Sequence, residues 1–340
     1  MVPMTPASVL RELDTSEQTT AELLLPVFQT TTVHNHRLQP VPDAEMFHSS
    51  IQPRTTSERR VIAAFDGSGT PAAYALVTRS RQSNTTLAGL DLRVLPERRG
   101  RGHGSALLDA AQQLARTMGC DRLIADLPLV PGESDFAEKR GGTLIYQHQR
   151  TVLDMQKIDV DRYRAFATPT GPGGPAPENA QYTSVRWTDH CPDELVQAHI
   201  VCREAMHDEP TGGLVKEKNR MTPAQLRELE DARIAYGQRR HTVAVLASNG
   251  DMAAFTQVAV VVNSAVPLAP MGNTAVVKAH RGHGLALRIK AELGLWMLEQ
   301  EPHIEFIDCW NNVENKAMTH INQVLGWEVT GLSSAYAFEL

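Results

Sequence analysis

The chain has 340 residues, with 33 Lys and Arg against 39 Asp and Glu, so its formal net charge is -6. This length allows two or three domains, each able to bury a core of its own. The mild negative charge and the lack of a basic tail argue against nucleic acid as a partner. The longest apolar runs are of strand length, so neither a membrane-spanning segment nor a membrane partner is expected.

The cysteines are scattered and form no C-x-x-C motif: Cys120, Cys191, Cys202 and Cys309. The N-terminus lacks a basic segment followed by an apolar core, which argues against a secretory signal peptide. A reduced, cytoplasmic protein is the simplest interpretation. His34 and His36 have no third ligand at a suitable spacing, and no metal is expected.

In chain order, the first half begins with a helical pattern over residues 7–28, followed by a polar loop with short helices over residues 30–54. A turn at residues 66–69, which contains two glycines, predicts a hairpin between two strands. The elements predicted after it are a strand at 87–95, a helix at 105–118, a strand at 122–126, a helix at 136–140 and a closing strand at 143–153.

Residues 167–180 are rich in proline and glycine and show no apolar periodicity, which is typical of a linker. The second half repeats the order of the first, with a helix predicted over 222–237 that starts at Thr222-Pro223, and it ends in closing strands over 327–340. Strands that alternate with helices, behind antiparallel hairpins, predict a mixed α/β sheet. We therefore expect two tandem α/β domains, residues 1–166 and 181–340, joined by the linker.

A short turn that contains glycine occurs once in each half, between a strand pattern and a helix pattern. The two copies read Arg99-Gly100-Arg101-Gly102-His103-Gly104 and Arg281-Gly282-His283-Gly284-Leu285-Ala286. The first amides of a helix have no intrahelical partner and carry partial positive charge, so such a turn suits a phosphate. Neither copy has the Lys-Ser/Thr pair of a Walker A motif or the third glycine of a Rossmann fingerprint.

Both turns have the pattern (Arg or Gln)-x-x-Gly-x-(Gly or Ala), which resembles the pyrophosphate-binding signature of the GNAT superfamily of acyl-CoA-dependent N-acyltransferases. The resemblance implies two tandem GNAT domains, acetyl-CoA as the cofactor and acetyl transfer to the primary amine of a small molecule. It also implies a set of cofactor-binding residues: Leu95, Arg99, Gly100, Gly102 and Gly104 in the first half, and Val276, Val277, Arg281, Gly282, His283, Gly284, Leu285, Ala286 and Asn315 in the second.

The superfamily's next landmark is an Asn that approaches the pantetheine arm, followed by a Tyr that often protonates the leaving thiolate. Asn315 falls on the first position, but Asn322 stands where the Tyr is expected. An amide is not a proton-donating acid, although it can hydrogen-bond sulfur. The first half lacks both residues. We therefore expect a catalytic C-terminal half and a degenerate N-terminal half, a division that resembles the mycothiol synthases.

Acyl transfer to an amine also needs a proton acceptor and donors for the oxyanion. Candidates for the base are Asp208, Asp308, His280 and His320, and the amide near Val277 is the candidate oxyanion donor. Each carboxylate could equally be a solvated surface charge.

Three functions remain open from the sequence. The first is an N-acetyltransferase for the amine of an antibiotic, an amino sugar or a biosynthetic intermediate. The second is mycothiol synthase, and the third is an acyl-CoA-binding protein without turnover. Either a monomer or a homodimer is compatible with two tandem domains.

Overall fold

A computed structural model describes residues 9–35, 41–128, 133–169, 177–208, 220–262 and 264–340. In these segments, no helix combines the length and the apolar character needed to cross a lipid bilayer. The chain divides into two compact units. The first unit holds the described residues up to Gln147 together with Leu332–Leu340, and the second holds those from His148 to Gly331.

The first half of the chain alternates strands and helices as predicted from its first hairpin onward, and it differs from the prediction before that hairpin. Its elements are β1 (Val9–Leu13), α1 (Gln18–Asn35), α2 (Ala44–Ile51), β2 (Ser57–Phe65), β3 (Pro71–Ser80), β4 (Leu87–Val94), α3 (His103–Thr117), β5 (Arg122–Pro128), α4 (Glu133–Lys139) and β6 (Thr143–Asp154).

The second half repeats this order after a short helix, and Thr222 opens its second long helix with a reciprocal capping box that confirms the predicted start. Its elements are α5 (Val160–Ala167), β7 (Thr183–Thr188), α6 (Val196–Arg203), α7 (Pro223–Ala235), β8 (Gln238–Leu246), β9 (Met252–Val261), β10 (Leu268–Val276), α8 (Leu285–Gln300), β11 (Phe306–Asn312), α9 (Lys316–Val324) and β12 (Glu328–Glu339).

The first helix starts later than its sequence pattern predicts. Residues 7 and 8 lie outside the described part, and β1 pairs antiparallel with β2 before α1 begins at Gln18. The prediction of a helix over the β1 segment was wrong. Of its five residues only Leu10 and Leu13 are partly buried, and so short a pattern is compatible with either a helical or a strand period.

Each unit has one mixed sheet with the same strand order. In the first unit β1, β2, β3 and β4 are antiparallel neighbours, β4 and β5 are parallel, and β5 is antiparallel to β12. In the second unit β7, β8, β9 and β10 are antiparallel neighbours, β10 and β11 are parallel, and β11 is antiparallel to β6. The predicted mixed α/β fold is thereby confirmed.

The closing strand of each unit comes from the opposite half of the chain. Residues 333–339 of β12 pair with β5, whereas residues 148–154 of β6 pair with β11. We expected β6 to close the first domain and β12 the second, and the structure corrects this assignment, because a strand pattern does not identify its partner. The division into units therefore does not coincide with the predicted linker, whose residues 170–176 lie outside the described part. Independent folding of 1–166 and 181–340 stays a prediction.

Helices cover both faces of each sheet. In the first unit α3 packs on one face through Leu107, Leu108 and Ala111, and α1 and α2 cover the other. In the second unit α8 packs on one face through Leu285 and Ile289, and α6 and α7 cover the other. The first turn of α3 or α8 is thus fixed at the end of a central parallel strand.

Replacing Phe338 by Ala tests the strand exchange, because Phe338 lies at the end of the chain yet is buried in the core of the first unit. We expect the variant to lose about 3–5 kcal/mol of unfolding free energy, measured by chemical denaturation. Hydrogen exchange should quicken in β5, which pairs with this strand.

Val329→Ala, at an exposed position of the same strand, is the control and should change stability by less than about 0.5 kcal/mol. Faster exchange in β11 with β5 unaffected would contradict the exchanged pairing.

Candidate functional site

The two parallel strands at the centre of the second unit are paired over a short length only. Residues 268–270 of β10 lie opposite residues 306–308 of β11. Beyond this point β10 continues beside β9, and β11 continues beside β6. The facing edges of residues 271–276 and 309–312 therefore part, and we call the space between them the second fork.

A turn with two left-handed glycines follows β10 and leads into α8. Gly282 has φ 84° and Gly284 has φ 72°, backbone angles that side chains other than glycine rarely adopt. No side chain of the described residues caps the first amides of α8, and none of their heavy atoms lies within 4 Å of where a Cβ of Gly282 would stand. The open amides and the clear space beside them fit a phosphate group.

Hydrogen bonds from the residues around β7 hold this turn in place. The amide nitrogen of Asn179 donates to the carbonyl oxygen of His283 at 3.0 Å, and its oxygen accepts from the buried Arg288 at 2.7 Å. The hydroxyl of Tyr182 lies 2.9 Å from Nδ1 of His280. The turn is therefore preorganised, and His280, a candidate base, is already engaged by a tyrosine.

Arg281 lies between the end of β10 and Asp208. Its Nε donates to the carbonyl oxygen of Val276 at 3.1 Å, and its Nη2 donates to Oδ2 of Asp208 at 2.6 Å. Asp208 was predicted as a candidate base. The structure places it against the arginine of the phosphate turn, where it orients that arginine.

The amide of Val277 donates to the carbonyl oxygen of Ala253 at 2.9 Å. This N–H is hydrogen-bonded within the sheet and is not available to an oxyanion, which corrects the expected role of Val277 as an oxyanion donor. Because successive amides of an antiparallel strand point to opposite sides, those of Val276 and Thr274 point away from β9 and into the second fork.

Asp308 lies on β11 at the closed end of the second fork, as the last residue of β11 that pairs with β10. Its neighbours Ile307 and Cys309 pack in the core beneath α8, so the side chain of Asp308 points to the opposite face of the sheet. The Nε of Arg150 donates to its Oδ2 at 2.8 Å. Burial raises the pKa of Asp308, and the charge of Arg150 partly offsets that rise. Trp310, two residues on, presents a partly exposed ring on the same face.

Asn322 is buried on α9 against the other face of β11. Its amide nitrogen lies 3.2 Å from Oγ1 of Thr151, 3.4 Å from Sγ of Cys309 and 3.0 Å from Oδ1 of Asn311. The side-chain oxygen of Asn322 is buried with no hydrogen-bond partner in the described part of the chain. This polar cluster stands at the side of the second fork formed by β11.

Asn315 caps the start of α9 and His320 lies within this helix, and the two residues differ in setting. The side-chain oxygen of Asn315 accepts from the amide of Met318 at 3.1 Å and caps α9, which leaves its amide nitrogen for another partner. His320 is exposed to solvent. The structure thus brings Asn322 to the second fork and does not bring His320 there. The assigned roles of both stay predictions.

The first unit contains the same turn and a fork of its own, the first fork. Strands β4 and β5 pair over residues 87–90 and 122–125, and β4 then continues to Val94. The Nε of Arg99 donates to the carbonyl oxygen of Val94 at 3.4 Å, as Arg281 does to Val276. The amide of Leu95 donates to the carbonyl oxygen of Ala72 at 3.0 Å. Gly100 and Gly102 are left-handed.

The two units differ in what surrounds these forks. In the first unit Phe136 packs 3.5 Å from the Cβ position of Gly104, at the start of α3. A pocket of about 520 Å³ lies on the face of this sheet opposite α3, and Asp91 and Asp126 are among its lining residues. No sequence signal identified these carboxylates, and none identified Arg150, because only the folded sheet brings Arg150 to Asp308.

Comparison with known proteins agrees with this geometry. Residues 22–139 match the family described as Acetyltransferase (GNAT) family. The match lies in the half that we expected to be degenerate, and the division of roles between the halves stays a prediction. No curated protein sequence matches this chain.

Solved structures share the fold over the full length. A tandem GNAT protein from the clavulanic acid biosynthesis pathway is 22% identical, with a TM-score of 0.78 and 98% of both chains covered. A GCN5-related N-acetyltransferase from Sphaerobacter thermophilus is 14% identical, with a TM-score of 0.67 and coverage of 98% of this chain and 96% of that one. The resemblance to mycothiol synthases gains no support from these matches. Residues 22–139 therefore match the GNAT acetyltransferase family, and the chain has the fold of a tandem GNAT protein over its full length.

Proposed function

We propose that this protein transfers the acetyl group of acetyl-CoA to the primary amine of a small molecule, and that the second unit performs the reaction. One observation carries the proposal: open helix amides stand at the open end of the second fork, and the Asp308–Arg150 pair stands at its closed end. A donor and an acceptor held at these two places would be brought together at the fork, which is how an enzyme lowers the entropy barrier of transfer.

The residues of the turn suit the diphosphate of CoA. The amides of residues 282–286 would hold its oxygens, and Arg281, fixed by Asp208, would add a charge-assisted contact. The fork-facing amides of Thr274 and Val276 would hydrogen-bond the arm of the cofactor. When bound, acetyl-CoA supplies an acyl carbon that is activated by its thioester.

Asp308 is the residue that we assign as the base. Burial raises its pKa, so it is a stronger proton acceptor than an exposed carboxylate, and Arg150 holds it in one orientation. An ammonium group is attracted both by a carboxylate and by the face of an indole ring. Asp308 and Trp310 on one face of the sheet would therefore bind the acceptor amine and remove its proton.

An acyl-CoA-binding protein without turnover is the second candidate. It is favoured by a single observation, the amide of Asn322 at the place where the family's tyrosine acid is expected. Release of CoA from acetyl-CoA in the presence of a panel of small amines separates the two candidates. A cysteinyl pseudodisaccharide in that panel tests mycothiol synthase activity.

Gly284→Glu tests the assignment of the cofactor turn. The added carboxylate would stand against the diphosphate, and we expect acetyl-CoA to bind at least about tenfold more weakly, a loss of 1.4 kcal/mol or more. Isothermal titration calorimetry gives the affinity.

Gly250→Glu is the matched control, since Gly250 has φ 87° and lies in the hairpin between β8 and β9, away from the fork. It should bind acetyl-CoA like the unaltered protein. The paired variant Gly102→Glu reports the first unit. If only Gly102→Glu weakened acetyl-CoA binding, the cofactor site would lie in the first unit.

Asp308→Asn tests the base. We expect kcat to fall about 10²–10⁴-fold while the affinity for acetyl-CoA is unchanged. In the unaltered protein the rate should rise as the pH passes the raised pKa of Asp308, because only the carboxylate accepts a proton. The variant should lose this rise.

The comparison variant is Asp208→Asn, which releases Arg281 from its ion pair and should weaken acetyl-CoA binding without removing the pH dependence. If Asp308→Asn kept both its rate and its pH profile, Asp308 would not be the base.

A further inference from the structure

A lysine is buried in the core of the second unit, directly beneath the second fork. Lys290 on α8 is 3% exposed. Its Nζ lies 3.0 Å from Sδ of Met271 and 4.5 Å from the centre of the Trp327 ring. In the described part of the chain no carboxylate lies within ion-pair distance of it. A buried ammonium without a counter-charge is unfavourable, so its presence calls for an explanation.

The first unit shows that the fold does not require a cation at this place. Lys290 is the sixth residue after the left-handed Gly284, and the sixth residue after the equivalent Gly102 is Leu108. Leu108 is fully buried in the apolar core beneath β4 and β5. The same position in the same helix is thus filled by an aliphatic side chain in one unit and by an amine in the other.

Lys290 stands at the closed end of the second fork. Met271 is the first residue of β10 beyond the paired segment, and Cys309 is the first residue of β11 beyond it. Lys290 contacts the former, and the latter is near enough to influence the pKa of Lys290. Asn322 reaches the same Cys309 from α9 at 3.4 Å. Two nitrogen donors therefore converge where the strands part.

We propose that Lys290 is the acid that protonates the departing CoA thiolate, in place of the tyrosine that this chain lacks at position 322. The inference rests on the proposed function, because it needs a thioester at the closed end of the second fork. Asn322 would hydrogen-bond the same sulfur. Burial lowers the pKa of Lys290 from its ordinary value and so brings it towards that of a thiol, which favours proton transfer.

The protons balance in this scheme. The C–S bond of the tetrahedral intermediate breaks, its electron pair passes to sulfur, and sulfur takes a proton from Nζ of Lys290. The acceptor ammonium loses two protons on becoming an amide. One leaves through Asp308 to solvent, and the other returns to Lys290 and replaces the proton that it gave to sulfur.

Among the residues that the structure describes, few titratable groups face Lys290. They are the thiol of Cys309 on β11 and, beyond Trp327, the hydroxyl of Tyr163 on α5, which donates to the carbonyl oxygen of Leu325 at 2.7 Å. Burial raises the pKa of Tyr163, so it stays protonated across the pH range of an assay. The strands on the other side contribute Met271 and the neutral Thr151 and Asn311 around Cys309.

The test uses CoA and desulfo-CoA as probes and Lys290→Met as the variant, because Met has a similar length and no proton to give. The difference in ultraviolet absorbance between the two complexes reports the thiolate of bound CoA. We expect the unaltered protein to lower the pKa of that thiol and to bind CoA about tenfold more tightly than desulfo-CoA at alkaline pH. Lys290→Met should abolish both effects and lower kcat about a hundredfold, with the alkaline limb of its pH profile lost.

Two further variants keep the result interpretable. Lys290→Leu copies the first unit and should fold with equal or greater thermal stability while showing the same chemical defect. Lys157→Met, at an exposed lysine, should behave like the unaltered protein. If acetyl-CoA and CoA bind and turnover occurs but the Lys290 variants keep the rate and the thiol pKa, the inference alone fails. If the unaltered protein binds neither probe, the proposed function fails and the inference fails with it.

Discussion

The geometry of the second unit depends on how briefly β10 and β11 stay paired. Full pairing would join the backbone edges of both strands and leave no gap in the sheet. Pairing over residues 268–270 and 306–308 alone satisfies the backbone hydrogen-bonding groups of that short segment. The remaining edges of the two strands face the second fork. The fork persists because each strand has a second neighbour, β9 on one side and β6 on the other, that fixes its course. The strand exchange supplies the second of these neighbours.

The duplicated turn shows which features belong to the fold and which belong to one unit. Both copies share left-handed glycines, an arginine that caps the preceding strand and an amide that returns to the sheet. These contacts shape the turn whether or not a ligand binds. The copies diverge where the chemistry would take place. The first unit has Leu108 beneath its fork, whereas the second has Lys290. The first unit nevertheless retains its turn and a pocket lined by two carboxylates, which is consistent with the family match there.

The sequence predicts the local features of this protein well. The turns, the helices that follow them and the capped start of α7 depend on neighbouring residues, and all were found where expected. The partners of the closing strands were not predictable, because a strand pattern carries no information about which edge it joins. For the same reason Asp308 could be nominated but its partner Arg150 could not. Lys290 escaped notice because a lysine in a helix is normally solvated, and only the packed core reveals this one as buried.

Successive residues of β11 point to opposite faces of the sheet, and the proposed chemistry makes use of this alternation. Asp308 faces the side on which the acceptor would bind, while Cys309, and with it Lys290 and Asn322, lies on the side of α8. The proton acceptor and the proton donor are thus close in sequence but separated by the backbone. A direct ion pair between Asp308 and Lys290 would neutralise both, whereas Arg150 pairs with the carboxylate and leaves the lysine to the fork. The two groups could then exchange protons only through reactants that bridge the second fork, which couples removal of the amine's proton to departure of the thiolate.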